Sequence, residues 1–311
     1  MERSDIMKVR SKEIELHVEQ RGAGAPALVF LHYWGGSSRT WRHVVDALSP
    51  EFRTVTIDQR GWGQSDKPET GYTLTDMADD AQSVIAALQL EQYILVGHSM
   101  GGKVAQMIAS RRPEGLAGLV LIAPAGPTPL AIPEEVRTGM VQAYATRDSI
   151  VATVRQVLAP NGLSPDDLEL VIADSLAGGR AAKAAWPLAV SQEDITAAVA
   201  DIDVPVIVVS GEDDRVDPPS VLRSDLLTHI PQAQLLLLPG VGHLSPLEAP
   251  ADIADILRAI APLVTDAAAG STAGEDAPAA RHCTWCGISL KDAAERRLGR
   301  LGQQPSHQSV T

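Results

Sequence analysis

Cysteine is nearly missing from this chain of 311 residues: the only two are Cys283 and Cys286, both near the C-terminus, so no disulfide is expected in the core. Basic residues are scarce as well, 26 Lys and Arg against 39 Asp and Glu, for a formal net charge of −13. Binding to nucleic acid needs a surplus of Lys and Arg to neutralise phosphates, so that class is excluded. The same charge gives no attraction to an anionic membrane surface. No apolar run reaches the roughly 18 residues of a spanning helix. The opening MERSDIMKVRSKEIELHVE has no apolar segment of the signal-peptide kind. A cytoplasmic protein is therefore expected, without nucleic acid or membrane as partner.

What is present is an alternation of short apolar runs with helix-like stretches. KEIELHVEQ (12–20) alternates apolar and polar residues, the pattern of a half-exposed antiparallel strand. PALVFLHY (26–33), RTVTID (53–58), QYILVGH (92–98) and GLVLIAPA (118–125) are continuous apolar runs, as central strands of a parallel sheet require. SRTWRHVVDALS (38–49) and LTDMADDAQSVIAALQL (74–90) carry helical spacing, with Thr75 read as the N-cap of the second. The class is α/β, a hairpin edge followed by βα units. From 128 to 200 the chain reads as helices only, and strand signals return at VPVIVVSG (204–211) and QLLLLPG (234–240) before a last helix at 250–264. Residues 1–127 and 201–265 thus form a core, 128–200 a helical cap inserted into it. Residues 266–311, beginning DAAAGSTAGEDAPAA, read as a low-complexity linker and disordered tail.

The chemistry centres on GHSMGG (97–102), set between a strand and a helix. A serine on such a bend stands clear of its neighbours, Gly97, Gly101 and Gly102 remove clashing side chains, and the helix N-terminus offers free N–H groups. Ser99 then needs a base, and the base an orienting acid. Of eight histidines, His243 follows the last strand and can reach the C-terminal edge of the sheet. His98 neighbours Ser99, but consecutive strand residues face opposite ways, so it is structural. His17 and His43 lie in elements that end elsewhere, and His229 falls in a helix-like stretch. For the acid, SGEDDRVDP offers Asp213, Asp214 and Asp217 just after a strand.

LHYWGGSS (31–38), DQRGWGQSDKP (58–68), GHSMGGKVA (97–105), SGEDDRVDP (210–218) and GHLSPLEAP (242–250) together resemble the α/β-hydrolase superfamily, in its capped esterase and haloperoxidase-like branch. The resemblance spans about residues 8–265. It implies the α/β-hydrolase fold, with a mostly parallel eight-stranded sheet flanked by helices and an inserted cap. It also selects Asp214 as the acid, three residues after Gly211, with Asp213 as fallback. It further implies an oxyanion hole from the N–H groups of Met100, after the nucleophile, and Trp34. Tyr33 stands where the family usually has glycine, and a side chain there would narrow the acyl site. Asp58 and Arg60 are read as loop anchors held by hydrogen bonds.

Ser99 excludes the aspartate-nucleophile dehalogenases and epoxide hydrolases of the superfamily. What the resemblance leaves is a serine hydrolase acting through an acyl-enzyme on Ser99, with a small neutral or hydrophobic ester or lactone as modal substrate. C–C bond hydrolysis and perhydrolase or haloperoxidase-like activity are the alternatives. A ligand receptor on the same fold is the non-enzymatic one. The substrate pocket is assigned to Tyr33, Met140, Tyr144, Trp186 and Leu188, with Trp34 and Met100. His282, Cys283 and Cys286 show the C-x-x-C spacing of half a zinc site, but a second pair is missing. No cofactor and no metal are expected.

Overall fold

Strands β1 (Asp5–Ser11), β2 (Ile14–Arg21), β3 (Ala27–Leu31), β4 (Thr54–Ile57), β5 (Tyr93–His98), β6 (Leu116–Ile122), β7 (Val206–Gly211) and β8 (Gln234–Leu238) build one eight-stranded sheet. Their order is β1-β2-β4-β3-β5-β6-β7-β8. β1 and β2 pair antiparallel, β2 runs antiparallel to β4, and every later pairing is parallel. The computed structural model describes residues 5–271, with side chains as far as Thr265. The tail cysteines and His282 lie outside the described residues.

The continuous apolar runs are explained by burial on both faces. Leu28, Phe30, Ile94, Val96, Ile207 and Val209 join one apolar cluster, while Val29, Leu31, Leu95, Leu119, Leu121 and Val208 join the other. Helix α1 (Arg42–Leu48) covers the first face with Val44 and Leu48. On the second lie α2 (Leu74–Ala87), through Leu74 and Met77, and α3 (Met100–Ser110), through Val104 and Ile108. The N-cap of α2 is Thr73, not Thr75: the Thr73 hydroxyl accepts the Asp76 N–H and the Asp76 carboxylate accepts that of Thr73. A cap at Thr75 would have Ala78 three residues on, with no side chain to return the bond.

Between β6 and β7 the chain forms α4 (Glu134–Met140), α5 (Arg147–Thr153), α6 (Pro165–Ala177), α7 (Arg180–Leu188) and α8 (Thr196–Val199). A single π-helical turn at Val154–Leu158 follows α5. These helices occupy the stretch read as helical from 128 to 200. After β7 come α9 (Pro219–Ser224) and α10 (Leu226–His229), and after β8 come α11 (Ser245–Glu248) and α12 (Pro250–Ser271). Helix α12 closes the first face with Ile253 and Leu257. It runs past the expected end at 264 because its alanines keep a high helix propensity. No helix among the described residues is long and apolar enough to cross a membrane. The parallel strands deliver the loops after β3, β5, β7 and β8 to one edge of the sheet, and the candidate site lies there.

Candidate active site

β5 ends at His98, α3 begins at Met100, and Ser99 takes the whole reversal with φ 53° and ψ −115°. A residue with a Cβ pays for such a conformation, and strain of this kind concentrates at functional sites. The flanking glycines make the bend sterically possible. A Cβ on Gly97 would strike the Gly101 carbonyl, and one on Gly101 would strike the Leu31 carbonyl of β3. The Ser99 N–H donates to Ile122 O of β6 at 3.1 Å, which ties the bend to the neighbouring strand.

Ser99 Oγ lies 2.9 Å from His243 Nε2. On the far side of the ring, His243 Nδ1 lies 3.0 Å from Asp214 Oδ2 and 3.1 Å from Oδ1. An ionised carboxylate only accepts, so Nδ1 carries the proton and Nε2 is free to accept from the serine hydroxyl. Asp214 Oδ1 also accepts the N–H groups of Val216 at 2.8 Å and Asp217 at 3.1 Å. Burial works to lower the His243 pKa. The charge and hydrogen bond of Asp214 outweigh it, helped by Asp217 and Glu248, so the pKa stands above the ordinary value.

The three acids offered by the sequence separate in space. Asp213 points away from the imidazole and accepts from Asn161 Nδ2 at 2.7 Å. Asp217 is buried close by, and burial pushes its carboxyl up to about 7. Only Asp214 is in hydrogen-bond contact with His243.

Several groups that the sequence reading left without a role hold this chain in place. His98 Nε2 donates to the His243 carbonyl at 2.8 Å, and burial keeps the His98 ring neutral by lowering its pKa well below the usual value. The His243 N–H donates to Leu158 O at 2.7 Å, at the end of the π-helical turn. The Gly242 N–H donates to Glu248 Oε1 at 3.0 Å. Of these, Glu248 and His98 carried a local signal, since they lie in the motifs of His243 and Ser99.

On the β3 loop, the Gln59 N–H donates to His32 Nε2 at 3.0 Å, so the proton of this buried, neutral ring sits on Nδ1. Nδ1 donates in turn to Tyr33 O at 2.8 Å, and the Gly36 N–H reaches the same carbonyl at 3.1 Å. The Trp34 N–H belongs to that peptide and points opposite to its carbonyl, so its direction is fixed. The Met100 N–H, first in α3, has no partner within the helix.

The expected pocket residues are only partly brought together. Tyr33 packs against His98, with ring centroids 5.2 Å apart, and over Gly36. Tyr144 packs against Trp34 with ring centroids 4.3 Å apart and planes tilted by 44°, and its hydroxyl donates to Trp34 O at 2.9 Å. Trp186 is buried in the same apolar cluster, and Met140 packs partly buried against it. Leu188 is 45% exposed and lines an exterior groove with Tyr72 and Ala185, apart from the others. Asp58 accepts the Ser38 and Gln64 N–H groups, and Arg60 pairs with Asp80 in a buried two-pronged bridge. Both anchor loops. Among the described residues, no group of three or more His, Cys, Asp or Glu is placed to hold a metal ion.

Comparison with known proteins identifies the family. Residues 28–256 match the model of a family described as "Alpha/beta hydrolase family". The chain is 31% identical to a 2-(acetamidomethylene)succinate hydrolase of Mesorhizobium japonicum, over 74% of this chain and 85% of that protein. It is 30% identical to a bifunctional esterase/perhydrolase of Acinetobacter calcoaceticus, over 70% and 85%. Among solved structures, a thermophilic esterase from Thermogutta terrifontis superposes with a TM-score of 0.73 at 26% identity, over 84% of this chain and 99% of that one.

Proposed function

The chain belongs to the alpha/beta hydrolase family, and from that premise we propose that it is a serine hydrolase cleaving a small neutral or hydrophobic carboxylic ester or lactone. The observation that carries this is the unbroken contact from Ser99 Oγ through His243 to Asp214. Ser99 attacks the substrate carbonyl while His243 Nε2 takes its proton. The oxyanion is held by the Met100 and Trp34 N–H groups. Removing one such donor from a serine hydrolase costs about 2.7–4 kcal/mol in the transition state. His243 then returns the proton to the departing alkoxide, and a water it activates releases the acid. The helices of 128–200 act as the cap over this reaction, joined to a core of 1–127 and 201–265, and the contact of Trp34 with Tyr144 gives the site an aromatic, apolar wall beside the oxyanion loop.

Perhydrolysis is the second reading, favoured by the esterase/perhydrolase relative. It uses the same acyl-enzyme with hydrogen peroxide in place of water. Gly35 argues against it as the main role. Its φ of 101° is closed to proline, which commonly follows the oxyanion residue in that branch.

The test is a panel of p-nitrophenyl esters of increasing acyl length, together with lactones, with Ser99→Ala as control. Short to medium esters or lactones should turn over in a Ser99-dependent way. Turnover of a vinylogous diketone alone would hand the function to C–C hydrolysis. The pH profile follows from the raised His243 pKa, because only the neutral ring accepts the serine proton. kcat/KM should therefore be full at alkaline pH and fall as pH drops through a value above the ordinary histidine one of about 6.5. An acid limb well below that value would show that another group limits the reaction.

A further inference from the structure

His32 and the Gly36 N–H hold the Tyr33 carbonyl, but beyond Trp34 the oxyanion loop is poorly suited to hold its own shape. Gly35 and Gly36 follow Trp34, Gly35 sits at φ 101°, and glycine has more conformational freedom to lose than any other residue. Yet consecutive carbonyls of this loop are each held by a side chain from the helical stretch between β6 and β7. The Tyr144 hydroxyl donates to Trp34 O at 2.9 Å, and the Ser175 hydroxyl of α6 donates to Gly35 O at 2.9 Å. Two residues beyond Gly35, the Ser37 hydroxyl donates to Asp174 Oδ2 at 2.7 Å, and Arg39 Nε reaches Asp174 Oδ1 at 3.1 Å.

We infer that Tyr144 is a positioning residue for the oxyanion hole, its phenol and the Ser175 hydroxyl holding the Trp34–Gly35 backbone so that the Trp34 N–H is aimed before substrate arrives. The inference rests on the hydrolase reaction proposed above and adds to it a role for the helical stretch beyond covering the site. Tyr144 is itself immobilised. Its ring packs tilted against Trp34, meets the edge of Trp62 at 6.4 Å, and fills the space that a Cβ on Gly35 would need. Its carbonyl accepts from Lys183 Nζ at 3.0 Å. Burial pushes the phenol pKa up, so the hydroxyl stays protonated and donates at all working pH values. With that hydroxyl committed to the loop, Tyr144 offers substrate a ring face rather than a hydrogen bond. The donor's direction is thus set from both sides, by His32 on the Tyr33 carbonyl and by Tyr144 on the next.

The experiment compares Tyr144→Phe, Ser175→Ala and Ser175→Thr with wild type on one ester substrate. Misaiming a donor by a fraction of an ångström should lower kcat about tenfold in Tyr144→Phe, with KM changed less than about twofold. The Ki of a boronic acid, which mimics the tetrahedral oxyanion, should rise by the same factor as kcat/KM falls. Ser175→Ala should move both quantities in the same direction, and Ser175→Thr should restore them. Wild-type kcat and boronate affinity in both Tyr144→Phe and Ser175→Ala, even with a lowered melting temperature, would overturn the inference and leave the bonds merely structural. A wild-type protein that hydrolyses nothing would instead sink the hydrolase reading itself.

Discussion

Ser99→Ala should lower kcat on any ester or lactone substrate by about 10⁶, the loss seen when the nucleophile of a serine triad is removed. The expectation rests on what alanine leaves behind. The bend keeps its place between Gly97 and Gly101, the ring of His243 stays on Asp214, and the Met100 N–H stays free at the start of α3. Binding and oxyanion stabilisation therefore survive, and KM should change little. What vanishes is the oxygen 2.9 Å from His243 Nε2, and with it the covalent intermediate. A drop of only tenfold would mean that His243 delivers water directly and that no acyl-enzyme forms.

Asp214→Asn should cost about 10⁴ in kcat, the scale of a triad whose histidine is held in the wrong tautomer. The local hydrogen bonds dictate how an asparagine would sit. Asp214 Oδ1 accepts two backbone N–H groups, from Val216 and Asp217, so an amide would keep its oxygen there. Its NH₂ would then face His243 Nδ1, forcing that nitrogen to accept and placing the ring proton on Nε2. A protonated Nε2 cannot take the proton of Ser99. Asp213→Asn is the control, since Asp213 meets Asn161 and not the imidazole. It should stay within about twofold of wild type, as exposed substitutions away from such contacts do. Equal losses in the two variants would remove the acid role from Asp214.

The sheet was legible in the sequence because β3, β5, β6 and β7 are covered on both faces, and burial of that kind leaves uninterrupted apolar runs. Ser99 was legible because two glycines and a strand-to-helix change are needed to hold a side chain out at such a bend. The choice among Asp213, Asp214 and Asp217 was not, since composition says nothing about which carboxylate a turn aims inward. Family resemblance selected Asp214, and the structure puts that carboxylate on the ring. Thr75 was misread as a cap because the register of a helix start depends on the partner three residues on. Hardest to see were contacts between distant segments. Nothing local to Tyr144 announces a bond to Trp34, nor does anything near Leu158 announce its hold on the His243 N–H. His98 was rightly set apart from Ser99 by the two-residue strand repeat, yet that repeat cannot show that its ring grips the carbonyl of His243.

The central claim, an activated nucleophile at Ser99, is tested most directly by intact-mass measurement after treatment with a fluorophosphonate. Wild-type protein should gain a single adduct, located by peptide mapping on Ser99, and Ser99→Ala should gain none. A folded wild-type protein that stays unlabelled, or an adduct that maps to another serine and persists in Ser99→Ala, would contradict it.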